Sequence, residues 1–134
     1  MFDTAGHVAA QHVPSFSLLG PPSLDQPGYS FTAASPGEKV VIYATGFGQT
    51  NPAFTNQLTA TGLPSANPFP INLPSLPSVT IGNLPATVSF AGLVGPGLYQ
   101  LNLTVPASAP AGDLPVIASY DGVSTQSTAV ITVQ

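Results

Sequence analysis

Hydrophobic and polar positions alternate most clearly between residues 98 and 105. Tyr99, Leu101, Leu103 and Val105 fall on one face, and Gln100, Asn102 and Thr104 on the other. A period of two with one apolar face predicts a half-buried antiparallel strand. A second run, Lys39 to Thr45, is β-branched and aromatic and predicts the strongest strand of the chain. Weaker runs predict strands at Val8 to Val13, Val79 to Ile81, Thr87 to Ala91, Val116 to Tyr120 and Thr128 to Val133, with Ser15 to Leu19 continuing the first. No stretch sustains the i, i+3, i+4, i+7 spacing of an amphipathic helix over three turns.

Turn residues divide these runs. The chain holds 16 Pro and 13 Gly in 134 residues. Pro27-Gly28 and Pro36-Gly37 carry turn chemistry, and Thr50 to Pro70 reads as a long irregular connection. Gly82-Asn83 separates two short strands, and Asp121-Gly122 is a two-residue hairpin signal. About seven short strands in one domain predict an all-β fold, an immunoglobulin-like antiparallel β-sandwich. There is no Cys and no Trp, so the fold has no disulfide. Packing of Ile42, Phe47, Phe90, Tyr99, Leu101, Val116 and Ile131 has to replace the usual Cys-Trp-Cys core. The division expected is an N-terminal arm with the first strand over 1–35, a candidate for exchange with a neighbour, and a sandwich over 36–134.

Composition narrows function. Charged residues are 4% of the chain, against roughly 25% in an ordinary domain. Lys39 is the single basic residue and the formal net charge is −4. Nucleic acid and anionic membrane surfaces are therefore poor partners. No apolar run approaches the roughly 20 residues that span a bilayer, so membrane insertion is not expected. No basic patch followed by an apolar h-region marks a signal peptide, which leaves either a cytosolic chain or a mature or truncated segment. The 13 Ser and 13 Thr must hydrate a surface that charges do not. A hydroxyl-rich, lysine-poor surface points to an extracellular or cell-surface location.

Glu38 to Pro52 reads EKVVIYATGFGQTNP, a strand running into Gly46-Phe47-Gly48. A dinucleotide fingerprint needs a third glycine and a helix, but Asn51-Pro52 follow instead. A phosphate loop needs Gly-Lys-Ser/Thr, and Lys39 lies before the strand. The stretch is thus a structural turn: Gly46 and Gly48 permit positive φ, and Phe47 drops its ring into the core edge.

The segments GHVAAQH (6–12), SLLGP (17–21), PGEKVVIYATGFGQTNPA (36–53), VTIGNLPATVSFAGL (79–93), GLYQLNLTVP (97–106) and AGDLPVIASYDGVSTQ (111–126) occur in that order over nearly the whole chain. Pro36-Gly37-Glu38, a strand and Ala44-Thr45-Gly46-Phe47-Gly48 resemble the opening of transcription-factor-type immunoglobulin (IPT/TIG) domains. The set as a whole resembles the Solibacter-type C-terminal domain of secreted acidobacterial proteins. The family commonly has an acidic residue and a glycine where this chain has Val13-Pro14. The resemblance implies a β-sandwich at the end of a long exported chain, with more chain upstream of Met1, and it carries over no catalytic residue.

Candidate chemistry is sparse. His7 and His12, five positions apart, fall on opposite faces of a strand and do not share a metal. Asp25, Asp113 and Asp121 sit in turn-rich contexts and read as turn formers rather than calcium ligands. Glu38 is the only glutamate, and no aspartate at a telling spacing pairs with it for glycoside hydrolysis. No G-x-S-x-G is present. No catalytic residue, metal or cofactor is assigned, and the chain is not read as an enzyme. Asn102-Leu103-Thr104 is the single N-x-[ST] sequon, which makes Asn102 a glycosylation candidate.

In the arm, Val8, Ala10, Phe16 and Leu18 could fill alternate pockets of a groove, either in their own domain or in a neighbouring copy by β-strand addition. Sheet edges are usually guarded by lysine, and this chain has almost none. The function expected is a non-enzymatic structural or interaction module of an exported bacterial protein, used for surface architecture, adhesion or fibre assembly. The partners expected are other copies of itself, as homo-oligomer or filament, with glycans as a second class. The alternative is a carbohydrate-binding β-sandwich appended to a secreted enzyme. That reading needs an exposed aromatic platform, and Tyr29, Tyr43, Tyr99 and Tyr120 mostly fall in core-like patterns.

Overall fold

The computed structural model describes residues 5–51, 53 and 69–134. The described chain is all-β, with no α-helix and one 3-10 turn at Pro22–Leu24. Its eleven strands are β1 (Ala10–His12), β2 (Leu18–Leu19), β3 (Phe31–Thr32), β4 (Lys39–Ala44), β5 (Ile71–Asn72), β6 (Ser78–Ile81), β7 (Leu84–Gly95), β8 (Leu98–Thr104), β9 (Gly112–Tyr120), β10 (Val123–Ser124) and β11 (Val130–Val133). Most of the 50–70 connection lies outside the described residues.

One hydrogen-bonded path runs β10-β9-β6-β7-β8-β4-β1-β2-β3. β7 is twelve residues long and serves two sets of neighbours. Residues 84–86 pair with β6, and residues 87–95 pair with β8 and, on the opposite edge, with β5. β9 carries β6 on one edge and β10 and β11 on the other.

Two parallel bridges, His7 to Val130 and Ala34 to Val133, tie both ends of the arm to β11. The path that leaves β11 and reaches β3 therefore returns to β11. Such a circuit guards edges that this lysine-poor chain cannot guard with charge. The sheet is mixed rather than purely antiparallel, because β2 and β3 are parallel as well.

The count of strands exceeds seven because turns cut the runs into short pieces. Ser15 to Leu19 does not continue the first strand. The chain turns at Val13–Ser17 and comes back as β2, antiparallel to β1. Phe16 takes φ +55 in that turn, a left-handed conformation uncommon for a bulky residue.

The alternation read from β8 sets the core. Tyr99, Leu101, Leu103 and Val105 are buried, while Gln100, Asn102 and Thr104 are half-buried on the other face. They join Val40, Ile42, Phe47, Val79, Ile81, Val116 and Ile131 in one apolar cluster that also takes in Ala10, Leu19 and Ala34 of the arm.

Phe90 is a correction: it is half-buried and lies outside that cluster. Val88 pairs with Leu103, but Phe90 pairs with Asn102, because the register slips by one residue at Ser89. A bulge of one residue reverses the faces that follow it. Phe90 is thereby turned from the core face to the outer face. Tyr29 is a second correction. Far from a core position, it is 62% exposed, in the turn closed by the Gln26–Tyr29 pair.

Candidate functional site

The arm and its seat hold a network of polar side chains. β1 lies between β2 and β4, with Ala10 opposite Leu19 on one side and Ile42 on the other. Ala10 is buried, and Val8 and Leu18 are half-buried. Phe16 is 57% exposed, so it fills no pocket of its own chain. The backbone N–H of Val8 donates to the Val130 carbonyl. An apolar cavity of about 270 Å³ opens where Val8 and Ala9 pass Ile42, Leu101, Val116 and Ala129.

His12 ties three segments at once. Its Nδ1 lies 2.6 Å from Glu38 Oε1, and its Nε2 lies 2.9 Å from Thr32 Oγ1 and 3.1 Å from the Thr32 carbonyl oxygen. The other Glu38 oxygen accepts the Ser35 backbone N–H at 2.8 Å. The ring is buried and Glu38 is half-buried. With a neutral ring, Nδ1–H donates to the carboxylate and Nε2 accepts the threonine hydroxyl. With a charged ring, Nε2–H donates to the carbonyl. Both protonation states are thus satisfied, and β1, β3 and the turn before β4 are clasped in either.

The order carboxylate, imidazole, hydroxyl is also that of nucleophilic hydrolases. Here the imidazole is shared between the Thr32 hydroxyl and the carbonyl of the same residue. The sequence offered no sign of this cluster. Glu38 is 26 residues from His12 and 6 from Thr32, and only the β1-β4 pairing at His12–Val40 closes the gap.

The other histidine is separate. His7 Nε2 stands 3.4 Å from Asp113 Oδ2, and Asp113 Oδ1 accepts the Thr132 hydroxyl at 2.6 Å. Each histidine has its own carboxylate. No group of three or more His, Asp or Glu side chains able to hold a metal occurs among the described residues. Asp25 accepts the Phe31 backbone N–H at 2.7 Å. Asp121 and Gly122 form the β9-β10 turn at φ +49 and +77, between paired Tyr120 and Val123. Positive φ at both central residues matches the twist of the hairpin.

At the end of β4, Gly46 and Gly48 take φ +84 and +87. Phe47 between them is buried against Tyr99 and Tyr120, with ring centroids 5.7 and 6.1 Å apart. The Tyr99 hydroxyl donates to the Gly48 carbonyl. Burial, with a smaller contribution from neighbouring Tyr120, raises the Tyr99 pKa above its ordinary value.

Asn102 sits on the outer face of β8, between Val41 of β4 and Phe90 of β7. It accepts a hydrogen bond from Gln100 Nε2 at 2.7 Å. Nearby, the Tyr43 hydroxyl donates to Gln11 Oε1 at 2.9 Å, and Gln11 Nε2 donates to the Phe16 carbonyl. No helix among the described residues is long and apolar enough to cross a membrane. Compared with family models, curated proteins and solved structures, the chain matches none.

Proposed function

We propose that this chain is a non-enzymatic structural and interaction module, an immunoglobulin-like β-sandwich of the Solibacter type in an exported bacterial protein, whose N-terminal arm is exchanged between copies. The observation that carries the reading is the seat of β1. It covers the Val40–Ile42 edge of β4, three residues each no more than 6% exposed, through a strand of only three residues. An arm that leaves exposes an apolar, nearly uncharged strand edge, which is a template for the same arm of another copy. Exchange of an identical element costs little, because the contacts made in cis and in trans are the same. If each arm passes to the next copy without closing a ring, the product is a fibre. The charge-poor, hydroxyl-rich surface suits an extracellular location.

The His12 cluster supports the same reading as a clasp. It joins the arm to β4 without relying on the apolar contacts that assembly would reuse. Electron microscopy and light scattering of the full chain test the proposal. Polymers are expected, and deletion of residues 1–20 leaves only monomers. Polymers that persist in the deletion overturn arm exchange. Hydrolysis of an activated ester that is lost on Thr32→Val overturns the non-enzymatic part.

A further inference from the structure

The outer face of β7 and β8 holds a depression of about 410 Å³, lined by Phe69, Pro70, Phe90, Val94, Gln100 and Asn102. Three backbone features build it. The slip at Ser89 turns Phe90 outward, and the Ser89 hydroxyl is anchored by donating to the Asn102 carbonyl at 3.2 Å. Gly92, buried and opposite Gln100 across the strand pair, has no side chain to hold β5 away. β5 crosses so closely that a Cβ on Gly92 would lie 2.5 Å from the Ile71 carbonyl oxygen. This approach brings Phe69 and Pro70, the residues just before β5, to the same depression. Phe69 is 37% exposed.

The lining has no ionisable side chain. Its polar groups are two amides, linked head to tail by Gln100 Nε2 donating to Asn102 Oδ1. That link does not use the Gln100 Oε1 acceptor or the Asn102 Nδ2 donors, and both amides line the same depression. An acceptor and a donor on one lining suit two neighbouring hydroxyls, one giving and one receiving a hydrogen bond. The aromatic faces are electron-rich and attract the C–H edges of a saturated ring. A few placed polar groups in a mostly apolar concavity are the usual make-up of a small-molecule site.

We infer that this depression is a subsite for a neutral saccharide, with Phe90 as the stacking surface and Gln100 and Asn102 as the hydroxyl readers. Arm exchange plays no part in the argument, so the two stand or fall separately. Bulges re-aim side chains next to functional sites, and here the re-aimed side chain is the one that would stack. A glycan attached at Asn102 would use the same nitrogen, so attachment and binding exclude each other.

The test titrates the full chain with cellohexaose, xylohexaose, mannohexaose and chitohexaose, using calorimetry and ligand-observed NMR. Saturable binding of at least one is expected at millimolar concentration or below. Phe90→Ala and Asn102→Asp each weaken it at least tenfold. Asn102→Asp retains an oxygen for Gln100 to donate to and replaces the amide donor with a negatively charged acceptor, so it reports on recognition even if Phe90→Ala fails to fold. Thr104→Ala, which destroys the sequon and keeps Asn102, leaves binding unchanged, as does Tyr29→Ala. No binding of any of the four, or binding that survives Asn102→Asp unchanged, overturns the inference.

Discussion

The arm and the body of this molecule are held by different means. The body, from β6 onward, rests on long registers: β7 and β8 together carry Leu93, Tyr99, Leu101 and Leu103 into one cluster, each at most 6% exposed. Its turns are tight, with Gly82-Asn83 and Asp121-Gly122 both at positive φ. The arm has three strands of three, two and two residues. It contributes Ala10, Leu19, Phe31 and Ala34 to burial, borders an apolar cavity, and is fastened by the His12 clasp and two bridges to β11. Extensive apolar packing holds the body, while a short ladder, four buried apolar side chains and the His12 contacts hold the arm. Elements with short registers and few apolar contacts open at lower free energy than a core.

Substitutions sharpen that contrast. Leu103→Ala, at 2% exposure in the middle of β8, removes packing from the body and should cost about 3 to 4 kcal/mol, read as a lower denaturant midpoint for the whole chain. His12→Ala leaves Glu38 and Thr32 without their shared partner. It should cost about 2 kcal/mol and raise amide exchange in 10–19 and 31–34 before it raises exchange in β8. Equal acceleration in both regions would contradict the separation of arm from body.

The smallest effect is a pH dependence in the body. The Tyr99 phenol has a raised pKa when folded, so the unfolded chain releases that proton first. Stability from this group is complete below the ordinary tyrosine pKa of about 10 and declines as pH rises from there through the folded value. Denaturation midpoints should therefore fall more steeply above about pH 10 in the natural chain than in Tyr99→Phe. Parallel curves would remove Tyr99 from the account.

Much of the body was legible in the sequence because period-two patterning and β-branched runs report directly on half-buried strands. Lys39–Ala44 and Leu98–Thr104 lie where the pattern put them. Phe90 is misplaced because nothing in VSFAG marks Ser89 as the extra residue, and one unmarked residue reverses the faces that follow it until the second slip between Leu93 and Gly95. The return of Ser15–Leu19 as β2 was hidden for a similar reason: Phe16 at positive φ is not a residue that announces a turn. The His12 cluster depends on register across distant segments, which composition and spacing do not encode. Nothing in the sequence around Gly92 shows that β5 crosses it and leaves a side chain no room there.

Because the chain has no cysteine, one engineered pair can report where the arm sits. Ala10 and Ile42 are directly opposed across β1 and β4, and the flanking Tyr43–Ala9 and Val13–Lys39 hydrogen bonds make theirs a close, non-hydrogen-bonded pair. The double substitution Ala10→Cys with Ile42→Cys, oxidised under assembling conditions and run on a non-reducing denaturing gel, should give a ladder of covalent multimers that collapses on reduction. A single band of internally crosslinked monomer, in material that still forms polymers, would contradict the exchange of arms between copies.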